Sequence, residues 1–492
     1  MFFRFDSVNY NEIVNYIEDK KSFHRPDFLR TVFELFDFEI DPSKVIIVAG
    51  TNGKGTTCAV LQTLLHEAGK NVGFFSSPHL EKVNERIKYN CIDVSDEKFC
   101  DLFFKVHEVA QGYDLSFFEY LTFIAIYHFF VSHKNDIDFA IFEVGIGGTL
   151  DSTNIIPHDT SVITALGIDH TETLGNSLMD IAKNKFGIIS ENNSVIVAPQ
   201  AVRAIQAFTE SALTSQSLSA YLSTGIDSIN ACAIRTARFI EAYDCSMQVD
   251  TFGKYPQFSI STPFGEFKLP LPGMRAMENT ALAITIFHHL VENAERYMYA
   301  IEKTYWPGRM EKVVVAPHAL IASPPAEWLR HRHLLEDNVC AACREIYLSG
   351  DHNVQGIESL LALLPYYTAT VRAAACTCNV ETISAKKNVA SVMFVVGICR
   401  DKDHDSMLQK LMDFPGAKLY LTETPVKTLK IQEYSRRYLD AAECVNANPQ
   451  MALEAAITDA APDDLIVVTG SLYLVGLIRS YHSRIHISEL ES

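Results

Sequence analysis

The sequence predicts an α/β fold: a P-loop-type domain with a mostly parallel sheet, followed by a smaller Rossmann-like α/β domain. Apolar, β-branched runs alternate with helix-period stretches almost from end to end, the pattern of βαβ units whose strands are buried on both faces. The first such run is followed at once by a glycine-rich turn holding a lysine, Gly50-Thr51-Asn52-Gly53-Lys54-Gly55-Thr56-Thr57. Such a turn, between a strand and a helix, cradles phosphate.

Taken in order, Val45-Ile46-Ile47-Val48-Ala49 reads as a fully buried strand, with a helix from Thr56 to Ala68 behind it. Asn71 to Ser76 is a second strand, and Phe99 to Val109 and Phe117 to Val131 are helices. Strands follow at Asp138 to Val144, Ser161 to Leu166 and Ser194 to Ala198. Gln248 to Leu269 alternates apolar residues between turn glycines, which predicts a small antiparallel patch. A helical pattern from Glu278 to Lys303 stops at Trp306-Pro307-Gly308, so the domains are expected at 1–304 and 305–492. Beyond the break, strands are expected at Lys312 to Ala316, Glu345 to Leu348, Val389 to Val396, Leu419 to Thr422 and Leu465 to Thr469. Residues 317–344, polar and rich in histidine, read as an insertion.

Composition narrows the functional classes. Of 492 residues, 48% are hydrophobic and 21% charged, which excludes a disordered or low-complexity chain. With 60 acidic against 42 basic side chains, the net charge is −18. So acidic a surface repels polyanions, and neither a nucleic-acid nor a membrane partner is expected. The Met1 end has no basic-then-apolar leader pattern. The longest apolar run, Tyr120 to Val131, falls short of the ~20 residues that span a bilayer. Eleven cysteines without a framework spacing suggest reduced thiols, and a cytoplasmic, monomeric enzyme is expected.

The glycine-rich turn is the sharpest chemical signal. Its glycines let backbone N–H groups curl around phosphate, Lys54 reaches the β/γ-phosphates, and the Thr56 hydroxyl faces phosphate or Mg²⁺. It departs from the standard P-loop, because Gly50 and Gly53 lie close together and Gly55 separates Lys54 from Thr56. A glycine turn with a solvated lysine is the plainer alternative.

Here the text resembles the folylpolyglutamate synthase and dihydrofolate synthase family, ATP-dependent amide ligases of the muramyl-ligase superfamily. Beyond the turn, the matching blocks are Ser76-Ser77-Pro78-His79-Leu80, Asn84-Glu85-Arg86-Ile87 and Phe118-Glu119-Tyr120-Leu121-Thr122. Glu143-Val144-Gly145-Ile146-Gly147-Gly148, Asp151-Ser152-Thr153-Asn154, Asp169-His170 and Ala182-Lys183-Asn184-Lys185-Phe186-Gly187-Ile188 follow in the same order. Pro307-Gly308-Arg309-Met310-Glu311, Gly397 through Asp401-Lys402-Asp403, and Thr469-Gly470-Ser471-Leu472-Tyr473 complete the series.

The resemblance implies an ATP-binding ligase domain at 1–304 and a second ligase domain at 305–492. It implies ATP on Gly50, Thr51, Asn52, Gly53, Lys54, Gly55, Thr56 and Thr57, with Asn279, Arg309, Asp351 and His352 completing the nucleotide set. ATP and a carboxylate substrate repel each other, so two Mg²⁺ ions are expected, held by Thr56, Ser77, Glu143 and His170. Glu143 ends a buried strand, where open α/β sheets place their ligands. Taken alone, His170 is more often a hydrogen-bonded structural histidine, a reading that its place in Asp-His after a strand and the resemblance reverse. Lys185 matches a lysine that relatives carbamylate, and with Lys54, Glu143 and His170 forms the expected catalytic set. Pro78, Arg86, Phe118 and Asn154 are the expected substrate-binding residues. Asn279 reads equally as a nucleotide contact or a structural asparagine.

The pattern also departs from the family. Ser349-Gly350-Asp351-His352-Asn353 stands where Asp-Gly-Ala-His-Asn is usual, and Arg275-Ala276 where His-Gln is usual. Cys340 and Cys343 with Cys376 and Cys378 form a candidate four-thiolate zinc set, but the C-x-C half is atypical and scattered reduced thiols are the favoured account. His331 and His333 read as a solvated patch. The expected activity is an ATP- and Mg²⁺-dependent ligation of glutamate to a folate or pteroate carboxylate through an acyl phosphate. The alternatives are a muramyl-type ligase with another acid, or a nucleotide-binding module that has lost catalysis.

Overall fold

A computed structural model describes residues 9–21, 25–201, 238–251, 255–315, 344–375 and 391–483. The four-cysteine set (the described residues stop at Ala375), His331, His333 and all of the 317–344 stretch except Arg344 lie outside them. The chain divides into two compact units: 1–246 with 260–270 and 275–305, and 247–259 with 271–274 and 306–492. The segments 247–259 and 271–274 thus group with the C-terminal part, a detail that a single linear cut near residue 304 does not capture.

The first unit is built on an eight-stranded sheet. Its strands are β1 (Val45–Ala49), β2 (Val72–Phe75), β3 (Ile87–Tyr89), β4 (Ile92–Asp93), β5 (Phe139–Glu143), β6 (Thr160–Ile163), β7 (Ser194–Val197) and β8 (Arg238–Glu241). Their order is β4-β3-β2-β5-β1-β6-β7-β8. The β2–β5, β5–β1, β1–β6, β6–β7 and β7–β8 pairings are parallel, and the β2–β3 and β3–β4 pairings at one edge run antiparallel. All five residues of β1 are buried, which is why this segment reads as a continuous apolar run rather than an alternating one. The hairpin is absent from the sequence reading. It turns at Asn90 and Cys91, with φ of 52° and 67°, a two-residue turn in which both central residues are left-handed.

Parallel register brings the carboxyl ends of the strands to one edge. Val48 lies beside Glu143, Ala49 beside Ile163 and Phe75 beside Phe142. Whatever follows Ala49, Phe75, Glu143 and Ile163 is therefore clustered by the sheet itself. The Lys54–Glu67 helix behind β1 is buried on nearly every side, as a helix packed centrally must be. The Phe117–Tyr127 helix starts with a reciprocal cap between Ser116 and Glu119 and runs into a single π-helical stretch, His128–Ser132. Phe103, Tyr120, Phe123, Phe129 and Phe142 fill the core around it.

The pattern read as one helix from Glu278 to Lys303 is two elements: a helix Met274–Leu290 and a 3₁₀ run Ala294–Lys303. Asn293, left-handed at φ 54°, separates them. The alternating stretch before it forms a three-stranded sheet of β9 (Ser246–Asp250), β10 (Gln257–Thr262) and β11 (Gly265–Lys268), ordered β11-β10-β9.

The second unit carries a six-stranded sheet in the order β12-β13-β17-β14-β15-β16. The strands are β12 (Arg309–Val315), β13 (Arg344–Ser349), β14 (Val392–Val396), β15 (Ala417–Leu421), β16 (Cys444–Val445) and β17 (Leu465–Thr469). Only the β12–β13 pair is antiparallel, and its register slips between Arg309 and Glu311. Met310 takes up the slip at φ 54°.

Candidate functional site

The turn after β1 is shaped by two glycines that no other residue could replace without rearrangement. Gly50 has φ of 150°, and a Cβ there would fall 1.8 Å from Thr164 Oγ1; Gly53 has φ of 91°, and a Cβ there would fall 2.2 Å from Asn279 Oδ1. Asn279 is 7% exposed, so its amide is packed against the turn. Gly53 begins the Lys54–Glu67 helix without a capping side chain. The first-turn amides and the helix dipole are thereby presented to whatever the turn holds.

Three side chains hold the turn's carbonyls, and one neighbouring loop holds two of its amides. Lys54 Nζ donates to the Gly50 and Thr51 carbonyls at 3.2 and 3.5 Å, and Lys185 Nζ donates to the Gly50 carbonyl at 2.8 Å. Thr164 Oγ1 donates to the Asn52 carbonyl at 2.8 Å. The Thr51 and Asn52 amides both donate to the Ala165 carbonyl. Thr56 and Thr57 lie just inside the helix, and the Thr57 hydroxyl is fully buried with no hydrogen-bond partner. An orphaned buried hydroxyl under a glycine cradle fits a site shaped for an oxygen-rich anion.

Glu143, at the end of β5, is 4% exposed and accepts from the Ser77 amide at 3.2 Å. The neighbouring Cys58 thiol is pushed well up, by burial first and by the Glu143 charge second, so it stays protonated. His170 is left-handed at φ 51°, and its amide donates to Asp169 Oδ1 at 2.8 Å. A histidine held in that conformation at the end of a site loop is a constrained one. No group of three or more His, Cys, Asp or Glu side chains suited to a metal occurs among the described residues. Of the expected metal set, Glu143 and His170 are the acid and the imidazole, and Thr56 and Ser77 add only hydroxyls.

Of the expected substrate residues, Pro78 and Arg86 follow β2, Phe118 lies in the first turn of the Phe117–Tyr127 helix, and Asn154 follows β5. Pro78 follows Ser77 through a cis peptide bond. Arg86 is buried; its Nε donates to His79 Nδ1 at 2.9 Å and its guanidinium lies 5.1 Å over the Phe117 ring. Burial, then the Arg86 charge, pushes His79 down to about 3, so its ring is neutral. Phe118 packs against Phe75 at 5.5 Å and against Gly145, where a Cβ would meet the ring at 2.8 Å. Asn154 donates its amide to the Thr149 and Gly187 carbonyls and so ties two loops together.

Asp151 was not among the expected site residues, although its motif was noted. Its buried carboxylate accepts from the Gly145 and Ile146 amides and from the Thr153 amide and hydroxyl, which fixes the loop after Glu143. Thr164 is also new; no spacing rule connects it to the turn.

In the second unit Arg309 opens β12, and its Nη1 donates to the Gly308 carbonyl at 3.1 Å. Glu311 accepts from the Gly308 amide and is paired with Arg479 at 3.0 Å. β13 ends at Ser349, whose hydroxyl donates to Asp351 Oδ2 at 2.7 Å. His352 Nδ1 is 2.8 Å from the Gly350 carbonyl. Asn353 accepts from the Gly356 amide and is buried, capping the helix Val354–Ala375. Arg309, Asp351 and His352 all border Gly350, and a Cβ at Gly350 would stand 2.6 Å from Arg309 Nη1.

Among the described residues no helix is long and apolar enough to cross a membrane. The Mur ligase middle domain family matches residues 48–287. A dihydrofolate synthase/folylpolyglutamate synthase of Bacillus subtilis is 28% identical over 468 residues, covering 88% of this chain and 89% of that protein. A dihydrofolate synthase/folylpolyglutamate synthase of Haemophilus influenzae is 41% identical over 191 residues, 38% of this chain and 42% of that protein. Among solved structures, a bifunctional folylpolyglutamate synthase/dihydrofolate synthase with Mn, AMPPNP and L-glutamate bound aligns over 96% of this chain and 98% of its own, with a TM-score of 0.70 and 22% identity. Cradle, acid and fold agree with these matches: the chain is similar along most of its length to dihydrofolate synthase/folylpolyglutamate synthases, and its residues 48–287 match the Mur ligase middle domain.

Proposed function

We infer that the chain is an ATP- and Mg²⁺-dependent ligase that joins glutamate to a folate-type carboxylate, dihydropteroate or the glutamyl tail of a reduced folate. One observation carries the reading: the left-handed Gly50–Gly53 cradle stands beside buried Glu143 at the carboxyl edge of the sheet, in a chain that aligns along 88% of its length with an enzyme so named.

The chemistry follows from what each partner lacks. A carboxylate is a poor electrophile, so one of its oxygens attacks the γ-phosphorus of ATP, ADP leaves, and an acyl phosphate forms. The amine of glutamate then attacks the acyl carbon, inorganic phosphate leaves with the carboxylate oxygen, and an amide remains after loss of a proton. Magnesium, when bound, neutralises the repulsion between nucleotide and acid. Gly50, Thr51, Asn52, Gly53, Gly55, Thr56 and Thr57 form the loop that holds the phosphates, and Lys54 leaves its own loop's carbonyls to meet the transferring group. Glu143, His170, Thr56 and Ser77 supply hard oxygen and imidazole donors for two metal sites. Asn279, Arg309, Asp351 and His352 are assigned to the nucleotide. Pro78, Arg86, Phe118 and Asn154 line the route of the acid. Carbamylation of Lys185 is part of the same proposal, as is a monomer working in the cytoplasm.

The test is direct. Purified protein with ATP, Mg²⁺ and glutamate releases ADP only when dihydropteroate or a reduced folate is added, and an amide accumulates in equal amount. Glu143→Gln cuts that turnover about a hundredfold or more. ADP release that ignores the pterin acid, or none at all, refutes the reading.

A further inference from the structure

Resting on that reading, we propose that Thr164 is a positioning residue for the phosphate loop, and that the segment Thr164–Gly167 is the clasp that sets the loop's shape. Thr164 is fully buried directly after β6. Its hydroxyl lies 2.8 Å from the Asn52 carbonyl and 3.3 Å from the Ala49 carbonyl, so it spans the mouth of the turn from the end of β1 to the residue before Gly53. A hydroxyl has one proton, and the shorter contact, to Asn52, is the one it serves.

The remainder of the segment grips the same loop. The Ala165 carbonyl accepts from the Thr51 amide at 2.8 Å and the Asn52 amide at 3.2 Å. The Thr51 hydroxyl donates to the Gly167 carbonyl and accepts from the Gly167 amide, each at 3.0 Å. Every residue of Gly50-Thr51-Asn52 is thus held by this segment, by contact or by hydrogen bond. The first glycine is explained as well: only a residue without Cβ lets the Thr164 hydroxyl approach so closely. The two loop amides are spent on Ala165 and do not face phosphate. The cradle must therefore bind with the amides from Gly53 onward and with Lys54, and their direction depends on how the preceding three residues are clasped. The same chain continues through Gly167 to Asp169 and His170, so one rigid stretch sets both the phosphate loop and the imidazole.

The experiment compares Thr164→Val, which keeps shape and loses the hydroxyl, with Thr164→Ser, which restores it. ADP binding is read by calorimetry, and steady-state constants for ATP and for the pterin acid are measured with thermal unfolding alongside. Thr164→Val is expected to weaken ADP binding and raise KM for ATP about tenfold, with KM for the acid within twofold and cooperative unfolding retained. Thr164→Ser returns ADP affinity to within about threefold of the parent protein. If Thr164→Val does not fold, Thr51→Val and Thr51→Ser form the second pair, with the same expected split. Parental ADP affinity in the valine variants, or a serine variant as weak as the valine one, overturns the inference. A parent protein that binds no ADP overturns the proposed function instead.

Discussion

Lys185 Nζ donates to the carbonyl of Gly50 at 2.8 Å, although 135 positions separate them in the chain. Lys54 reaches the same carbonyl at 3.2 Å. Two lysines therefore converge on the first residue of the cradle, one buried and one free to leave. This contact ties the helix Leu178–Phe186 to the phosphate loop.

Replacing Lys185 with Met keeps the stem and removes the donor. The Gly50 carbonyl then loses its shorter, buried donor and keeps only Lys54, a change that costs about 0.5–1.5 kcal/mol of stability. Lys185→Met is expected to unfold at lower temperature and to lose most ligase turnover. Unchanged unfolding by calorimetry together with unchanged turnover would show the contact to be incidental.

The glycines give a sharper comparison. Gly50→Ala places a methyl group against the Thr164 hydroxyl in a backbone region that L-residues avoid, whereas a Cβ at Gly112 meets nothing within 4 Å. Gly50→Ala is expected to weaken ADP binding by about tenfold or more, and Gly112→Ala to leave it unchanged. Equal affinities in the two variants, measured by calorimetry, would remove the cradle from the account.

Where burial is two-sided the sequence is easily read, and where contacts are long-range it is not. Val45–Ala49 and Leu465–Thr469 are buried at every position, so their apolar runs announce central strands. The Ile87–Tyr89 and Ile92–Asp93 hairpin is too short to show a period, and its turn carries Asn90-Cys91 rather than a glycine pair. The helix ending at Leu290 is hidden because Asn293, not proline or glycine, makes the break. Lys54, Glu143 and Asn279 are legible from motifs, and all three lie at or beside the carboxyl edge of the first sheet. Thr164 is not legible. Its partner Asn52 is 112 positions away, and nothing local in the sequence marks a threonine that ends a strand. Asp351 illustrates a further limit: the motif places it near Gly350, but only coordinates reveal that it accepts from Ser349.

Acid sensitivity follows from buried histidines. Burial first, then the charges of His133 and Lys98, push His128 down to about 3, and His79 is pushed equally low. A depressed histidine favours folding in its neutral form. Its contribution is complete above the ordinary value of 6.5 and is lost as pH falls toward about 3. His128 sits beside Tyr89, Phe129 and His133, with its Nδ1 lacking a partner. His128→Phe, which cannot take a proton, is therefore expected to lose less thermal stability than the parent between about pH 7 and pH 5. Parallel declines of the two melting curves would contradict the assignment.

The measurement that bears most directly on the account uses dihydropteroate labelled with heavy oxygen in both carboxylate positions. Incubated with this protein, ATP, Mg²⁺ and glutamate, it should yield an amide that retains one heavy oxygen and inorganic phosphate that carries the other. Phosphate free of label, or label-free turnover without any amide, would contradict the acyl phosphate and the ligase with it.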